Sequence, residues 1–259
     1  MALSEAEIQR YRMMAQRARE EEVSQWQLAV IAEGARVADV GCGPGATLVA
    51  MAQVVGPTGS VTGVDADPAA VSAATQMIAA AQATNATVLL GQADDSGLAL
   101  GSFDVAVMRH VLAHNGGRET AIVHHLAELV RPGGCVYLVD VEMSAARLFN
   151  IDPALEDLQD QYVRLHKLRG NNTSIGLALS VLLESAGLEV LDFRGQYTIL
   201  SAPAGMRPPS WAARDALIAA GLATEGDLQR WNAAFDRVDR SQIRPTSFIP
   251  VFTAIARRH

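Results

Sequence analysis

Residues 37–46 read VADVGCGPGA. A short apolar run with one acid leads straight into glycines at 41, 43 and 45. That is how a buried strand delivers its end to a nucleotide-binding loop. Glycine tolerates positive φ, lets backbone approach a ligand, and precedes a helix whose first N–H groups are unpaired. Two readings of the loop compete. Gly41, Gly43 and Ala46 satisfy the dinucleotide pattern G-x-G-x-x-A. Asp39 through Gly45 equally form an acidic-x-Gly-x-Gly-x-Gly loop, which points to a different cofactor. The flanks separate this loop from a plain turn. ATLVAMAQVV (46–55) has helical character, and VTGVD (61–65) is a strand ending in an acid. Asp65 stands twenty residues after Gly45, where a carboxylate accepts both ribose hydroxyls.

Beyond the loop, strands and helices alternate. The pattern predicts a helix over 4–30, a strand at 36–40, a helix over 68–83 and a strand at 86–90. A buried strand SFDVAVM, a helix over 117–130, a Pro-Gly turn at RPGG and a strand CVYLVDV follow. Such alternation implies a doubly wound, mostly parallel α/β sheet covered on both faces, with its ligand crevice at the strand C-termini. After residue 143 the rhythm changes to a polar helix over 153–168, a helix leading into a strand near 188–199, and a Pro-rich break. Helices near 211–220 and 225–239 and a final apolar strand complete the chain. No linker or repeat divides it. The expectation is one domain, 1–259, with a core of about 30–142, 176–199 and 246–257. Residues 1–29, 143–175 and 200–243 then form a helical cap.

The bulk numbers narrow the partners. Of 259 residues 49% are hydrophobic, enough for a sizeable core, and the formal net charge is −7. An acidic chain lacks the basic footprint of nucleic-acid binding. The charged N-terminus does not read as a signal peptide, and no apolar run is long enough for a membrane span. Two cysteines, Cys42 and Cys135, without metal-ligand spacing fit a reducing, cytoplasmic location. The oligomeric state is not legible.

Four stretches taken in order are VADVGCGPGATL, VTGVDADP, GQADDSGLALGSFDVAVMRHVLAH and LVRPGGCVYLVD. Together they resemble the successive motifs of class I S-adenosylmethionine-dependent methyltransferases, most nearly the small-molecule branch of ubiquinone/menaquinone-biosynthesis type. The resemblance covers about residues 30–142, with 176–199 and 246–257. It implies a Rossmann-like seven-stranded sheet with the last strand antiparallel, and S-adenosylmethionine as cofactor. By the same resemblance Gly41 and Gly43 lie under the methionine portion. Asp39 braces the loop or faces the amino group through water. Asp65 matches the ribose acid, Ala66 lies beside the adenine, and the backbone of Arg109 touches the cofactor. The usual Gly-Asp-Ala is here Gly91-Gln92-Ala93-Asp94, so the adenine amino group could be met by Gln92, Asp94 or Asp95.

The sulfonium carries its own activation, so the protein must place an acceptor in line and exclude water. Where a base is useful, histidine is the first choice. His110 and His114 stand where the fourth strand reaches the crevice, with Asn115 as an orienting group. They match no metal site, because no third ligand follows. Asp140 ends the fifth strand and could bind an acceptor amine. Tyr11, Met14, the 153–168 helix with Tyr162 and His166, and MRPPSW (206–211) are expected to cap a small substrate. Arg118 and Arg131 read as ordinary helix charges. Three other functions stay open. A nicotinamide-dependent oxidoreductase would share the loop, although Tyr162 and Lys167 are one residue too far apart for Tyr-x-x-x-Lys. A non-catalytic cofactor-binding protein and a protein methyltransferase are the others.

Overall fold

A computed structural model describes the backbone of residues 5–201 and 203–259. Its centre is a sheet whose strands are β1 (Arg36–Val40), β2 (Ser60–Asp65), β3 (Ala86–Leu90), β4 (Phe103–Arg109), β5 (Val130–Val141), β6 (Arg147–Phe149), β7 (Glu189–Ser201) and β8 (Thr246–Arg257). The order is β3-β2-β1-β4-β5-β8-β7. The first five strands are mutually parallel, and β8 is antiparallel to β5 and β7 between which it lies. The expected antiparallel last strand is therefore present. The sheet has eight strands rather than seven, because the short β6 pairs with residues 246–248 of β8, continuing the edge that β5 occupies.

Apolar runs in the strands are split between two faces by the period-2 pleat. Val37, Val105, Val107, Tyr137, Val139 and Ile255 face one core, which includes Trp26, Ile31 and the helix Ala46–Val55. Ala38, Val40, Ala106, Met108, Val136 and Leu138 face the other, built with the helices Glu119–Leu129 and Leu179–Ser185. Burial on both faces is why these strands read as continuous apolar runs. The helices after residue 150 share a third core of Leu155, Leu158, Leu165, Leu217, Trp231 and Phe235. These helices start on ordinary signals. Asp152 caps Pro153–Leu168 by accepting Ala154 N–H at 2.9 Å, and Thr224 with Asp227 forms a capping box on Glu225–Arg240.

Two local expectations change. The helix expected over 4–30 is two, Glu5–Glu21 and Val23–Leu28, broken at Glu22, whose side chain is buried. RPGG is not a free turn. It is a bulge within β5, since Phe103 pairs with Val130 but Val105 pairs with Cys135. Gly134 is required there, because a Cβ would stand 2.9 Å from the carbonyl oxygens of Arg131 and Asp104.

Candidate active site

The C-terminal ends of β1, β2, β4 and β5 bring Asp39, Asp65, Arg109 and Asp140 to one edge of the sheet. At β1 the chain turns at Gly41 (φ 78°) and Gly43 (φ 54°). The amides of Gly41 and Cys42 both donate to the Val64 carbonyl, at 2.7 and 3.1 Å. A Cβ on Gly41 would lie 2.3 Å from Val111 Cγ2, whereas one on Gly43 would meet only Tyr11 Cε1, at 4.0 Å. Gly41 is thus pinned by neighbours, and Gly43 faces the crevice under Tyr11.

Asp65 ties the loop to β2. Its Oδ2 accepts Gly43 N–H at 2.8 Å and its Oδ1 accepts Asp67 N–H at 2.9 Å. Ala66, next in the chain, is exposed. Asp39 is 3% exposed, and its Oδ2 has no hydrogen-bond partner among the described residues. Burial, opposed by Arg109 and aided by Asp65, lifts its carboxyl to about 7. An orphaned carboxylate oxygen beside a glycine cradle suits the cationic amino group of S-adenosylmethionine.

At the third strand, Gln92 is exposed and its N–H donates to the Asp95 carbonyl at 3.2 Å, while Ala93 packs against the core. Asp94 is not free. Arg118 grips both of its oxygens, with Nε to Oδ2 at 2.9 Å and Nη2 on Oδ1. That corrects one expectation. Arg118 is a loop clamp rather than an ordinary helix charge, and Asp94 stands beside Gln92 as one half of an ion pair. Arg131 likewise holds Asp104, at 2.7 Å, across the bulge.

The end of β4 is more heavily built than its sequence suggests. The Arg109 guanidinium pairs with buried Glu22, which also accepts the Tyr137 hydroxyl. Nothing in the local pattern around Glu22 reveals this, and it was missed. His110 follows in the left-handed region at φ 57°, its N–H bonded to the Val139 carbonyl at 2.8 Å. Burial, with Arg109 and His114 beside it, pushes His110 down to about 3. An imidazole so depressed is neutral at pH 7. His114 is also lowered, by burial and Arg169.

Asn115 and Asp140 have other tasks than those expected of them. Asn115 Nδ2 donates to the Val111 carbonyl at 2.8 Å, closing its own turn rather than orienting a histidine. Asp140 is fully buried and accepts Ala113 N–H at 3.1 Å and Val141 N–H at 2.8 Å. It braces the turn carrying His114 and is not presented to an acceptor amine.

The cap residues do meet this turn. The His114 and His166 rings are 4.9 Å apart, and Tyr162 stands edge-on to His166 at 4.4 Å. Asn171, another residue missed in the sequence, lies 2.9 Å from His166 Nδ1 through its Nδ2. Arg10 Nη1 reaches the Arg207 carbonyl at 3.3 Å, joining the N-terminal helix to the MRPPSW segment. Met14 is exposed on that helix. Among the described residues no three His, Cys, Asp or Glu side chains form a group able to hold a metal, and no helix is long and apolar enough to cross a membrane.

Comparison with known proteins agrees with this geometry. A model of the methyltransferase-domain family matches residues 31–187. An arsenite methyltransferase of Halobacterium salinarum is 29% identical over 164 residues, 63% of this chain and 40% of that protein. The chain thus spans about two fifths of that curated relative. Among solved structures, YcgJ of Bacillus subtilis has a TM-score of 0.60 at 17% identity, over 93% of this chain and 99% of that one. The Bacillus halodurans protein BH2331 has a TM-score of 0.61 at 17% identity, over 92% and 99%. The glycine loop, the strand-end carboxylates, the sheet order and the family match converge: the chain belongs to the class I S-adenosylmethionine-dependent methyltransferases.

Proposed function

We propose that this protein methylates a small organic acceptor, in one catalytic domain whose helical cap covers the crevice. The observation that carries the reading is the meeting of two half-sites. The cofactor half is Gly41, Gly43, Asp39 and Asp65 on the sheet edge. The acceptor half is Tyr11, Tyr162, His166 and His114 on the cap and the β4 turn. S-adenosylmethionine, when bound, supplies a methyl group already activated by its sulfonium. Asp65 would accept the ribose hydroxyls, and the orphaned Asp39 Oδ2 the amino group. Gln92 would meet the adenine amino group, with Ala66 and Ala93 against the ring and the Arg109 backbone alongside. The chain's contribution is then placement and exclusion of water, which is where most of such a barrier is lowered. His110 or His114 is the residue able to take a proton where the acceptor must lose one.

The chemistry of the thiols favours an organic acceptor over arsenite, the substrate named for the Halobacterium relative. Arsenite is thiophilic. Cys42 and Cys135 are both buried and unpaired, and burial raises both thiols away from the thiolate form. A net charge of −7 speaks against nucleic acid, and buried free thiols suit a reducing cytoplasm.

Calorimetric titration with S-adenosylhomocysteine, with NADH and NADPH alongside, tests the reading. Binding of the homocysteine product alone is expected. Nicotinamide binding in its place returns the glycine loop to the dinucleotide reading. Product binding with no turnover on any acceptor would leave a cofactor-binding protein.

A further inference from the structure

His166 is only 5% exposed, yet its two ring nitrogens differ sharply. Nδ1 lies 2.9 Å from Asn171 Nδ2. Nε2 is buried with no hydrogen-bond partner among the described residues. The orientation of the Asn171 amide is set from its other side. Its Oδ1 accepts Gly116 N–H at 3.4 Å, where the two loops approach so closely that a Cβ on Gly116 would lie 1.8 Å from the Gly170 carbonyl oxygen. Turning the amide over would aim an NH₂ at that N–H. With Oδ1 so committed, Nδ2–H donates to Nδ1, and the ring proton resides on Nε2. His166 is therefore a buried donor left without an acceptor among the described residues, which is unfavourable in a folded protein.

The surroundings state what kind of ligand. Burial, with His114 and Arg169 nearby, pushes His166 down to about 4, and burial pushes Tyr162 up to about 12. At neutral pH the imidazole is uncharged and the phenol holds its proton. The fields of Arg169 on His166 and of Arg10 on Tyr162 are positive. Asp140, the carboxylate under the neighbouring turn, is occupied by backbone N–H groups. The imidazole and phenol protons and the Arg169 and Arg10 charges that frame this corner favour an oxygen over an ammonium.

We propose that His166 Nε2–H, framed by His114 and Tyr162, receives a carbonyl or carboxylate oxygen of the methyl acceptor, with Asn171 fixing the tautomer. This rests on the methyltransferase reading above and adds the acceptor's chemical class.

The test titrates protein saturated with S-adenosylhomocysteine against benzoate, acetophenone and benzylamine. Failure of S-adenosylhomocysteine itself to bind would defeat the methyltransferase reading, before any probe is added. With it bound, at least one oxygen probe should bind about tenfold or more tighter than benzylamine, the scale of one added hydrogen bond. Benzoate leading identifies a carboxylate, and acetophenone leading a carbonyl. His166→Phe should erase that preference without changing S-adenosylhomocysteine affinity. His166→Gln, whose amide N–H can stand near the Nε2 position, should restore part of it. Long-range ¹⁵N–¹H spectra of histidine-labelled protein should show the Nε2–H tautomer, lost in Asn171→Ala. An Nδ1–H tautomer, oxygen probes binding no better than benzylamine, or a preference untouched by His166→Phe overturns the proposal.

Discussion

Glu22 and Arg109 form a buried ion pair between the break in the N-terminal helices and the last residue of β4. Both side chains are nearly sequestered, at 5% and 11% exposure, and Tyr137 shares the same carboxylate oxygen. Removing one partner strands the other charge. Glu22→Ala should therefore destabilise the protein by about 3–5 kcal/mol. Urea unfolding checks this, and adding Arg109→Met to Glu22→Ala should recover part of the loss. A double variant no more stable than the single one would deny the coupling.

Asp39 sets a pH dependence. Its folded carboxyl titrates near 7, above the ordinary carboxylate range, chiefly because of burial. The native state therefore binds the proton more tightly than the unfolded chain does. Stability is full below about pH 4 and declines as pH rises through 7, by on the order of 2–4 kcal/mol. Asp39→Asn should flatten that decline in ligand-free protein and at the same time weaken S-adenosylhomocysteine binding. Thermal unfolding between pH 5 and 8 would show it, and equal slopes in variant and wild type would reject the assignment.

Asp65→Ala should weaken S-adenosylhomocysteine binding by about 1.5–3 kcal/mol, the scale for hydrogen bonds to a charged group. Asp65→Asn should lose less, because one oxygen remains to hold Gly43 N–H, now 2.8 Å away. Calorimetry separates the two, and unchanged affinity in the alanine variant removes Asp65 from the site.

Gly41→Ala combines a left-handed backbone with a Cβ 2.3 Å from Val111 Cγ2. It should cost about 2–4 kcal/mol of stability. Adding Val111→Ala should recover only the steric part, since φ stays at 78°. A full recovery, read by urea denaturation, would mean the backbone term is absent.

Much of the cofactor half was legible because its signals are local. The strand, the three glycines and the acid at the next strand end fall within thirty residues, 36–65. Short, continuous apolar runs likewise announced β1, β4 and β5, because these strands are buried on both faces. What escaped depends on partners far along the chain. Glu22 looks like one more acid in a charged helix until it meets Arg109, 87 positions away. Asp140 sits at a strand end, as a ligand-binding acid would, but the turn at 112–114 folds over it and takes its lone pairs. Tyr162 and His166 could be placed on one helix face by spacing. Only the approach of 170–171 to Gly116 brings that face to His114. RPGG reads as a turn because proline and glycine usually make one, and the ladder of β4 overrides that preference.

The position of β8 also governs how this molecule can assemble. It is a central strand, yet more than a hundred residues lie between it and β5, its partner. Before residues 246–257 arrive, β5 lacks its second neighbour and β7 has no neighbour at all. Contacts of that sequence separation form late and slowly. The parallel strands can therefore consolidate early, while β6 and β7 wait for one strand to slide into a prepared slot. Two open edges exist in the interval, and premature pairing of those edges is the misfolding route this topology must outrun.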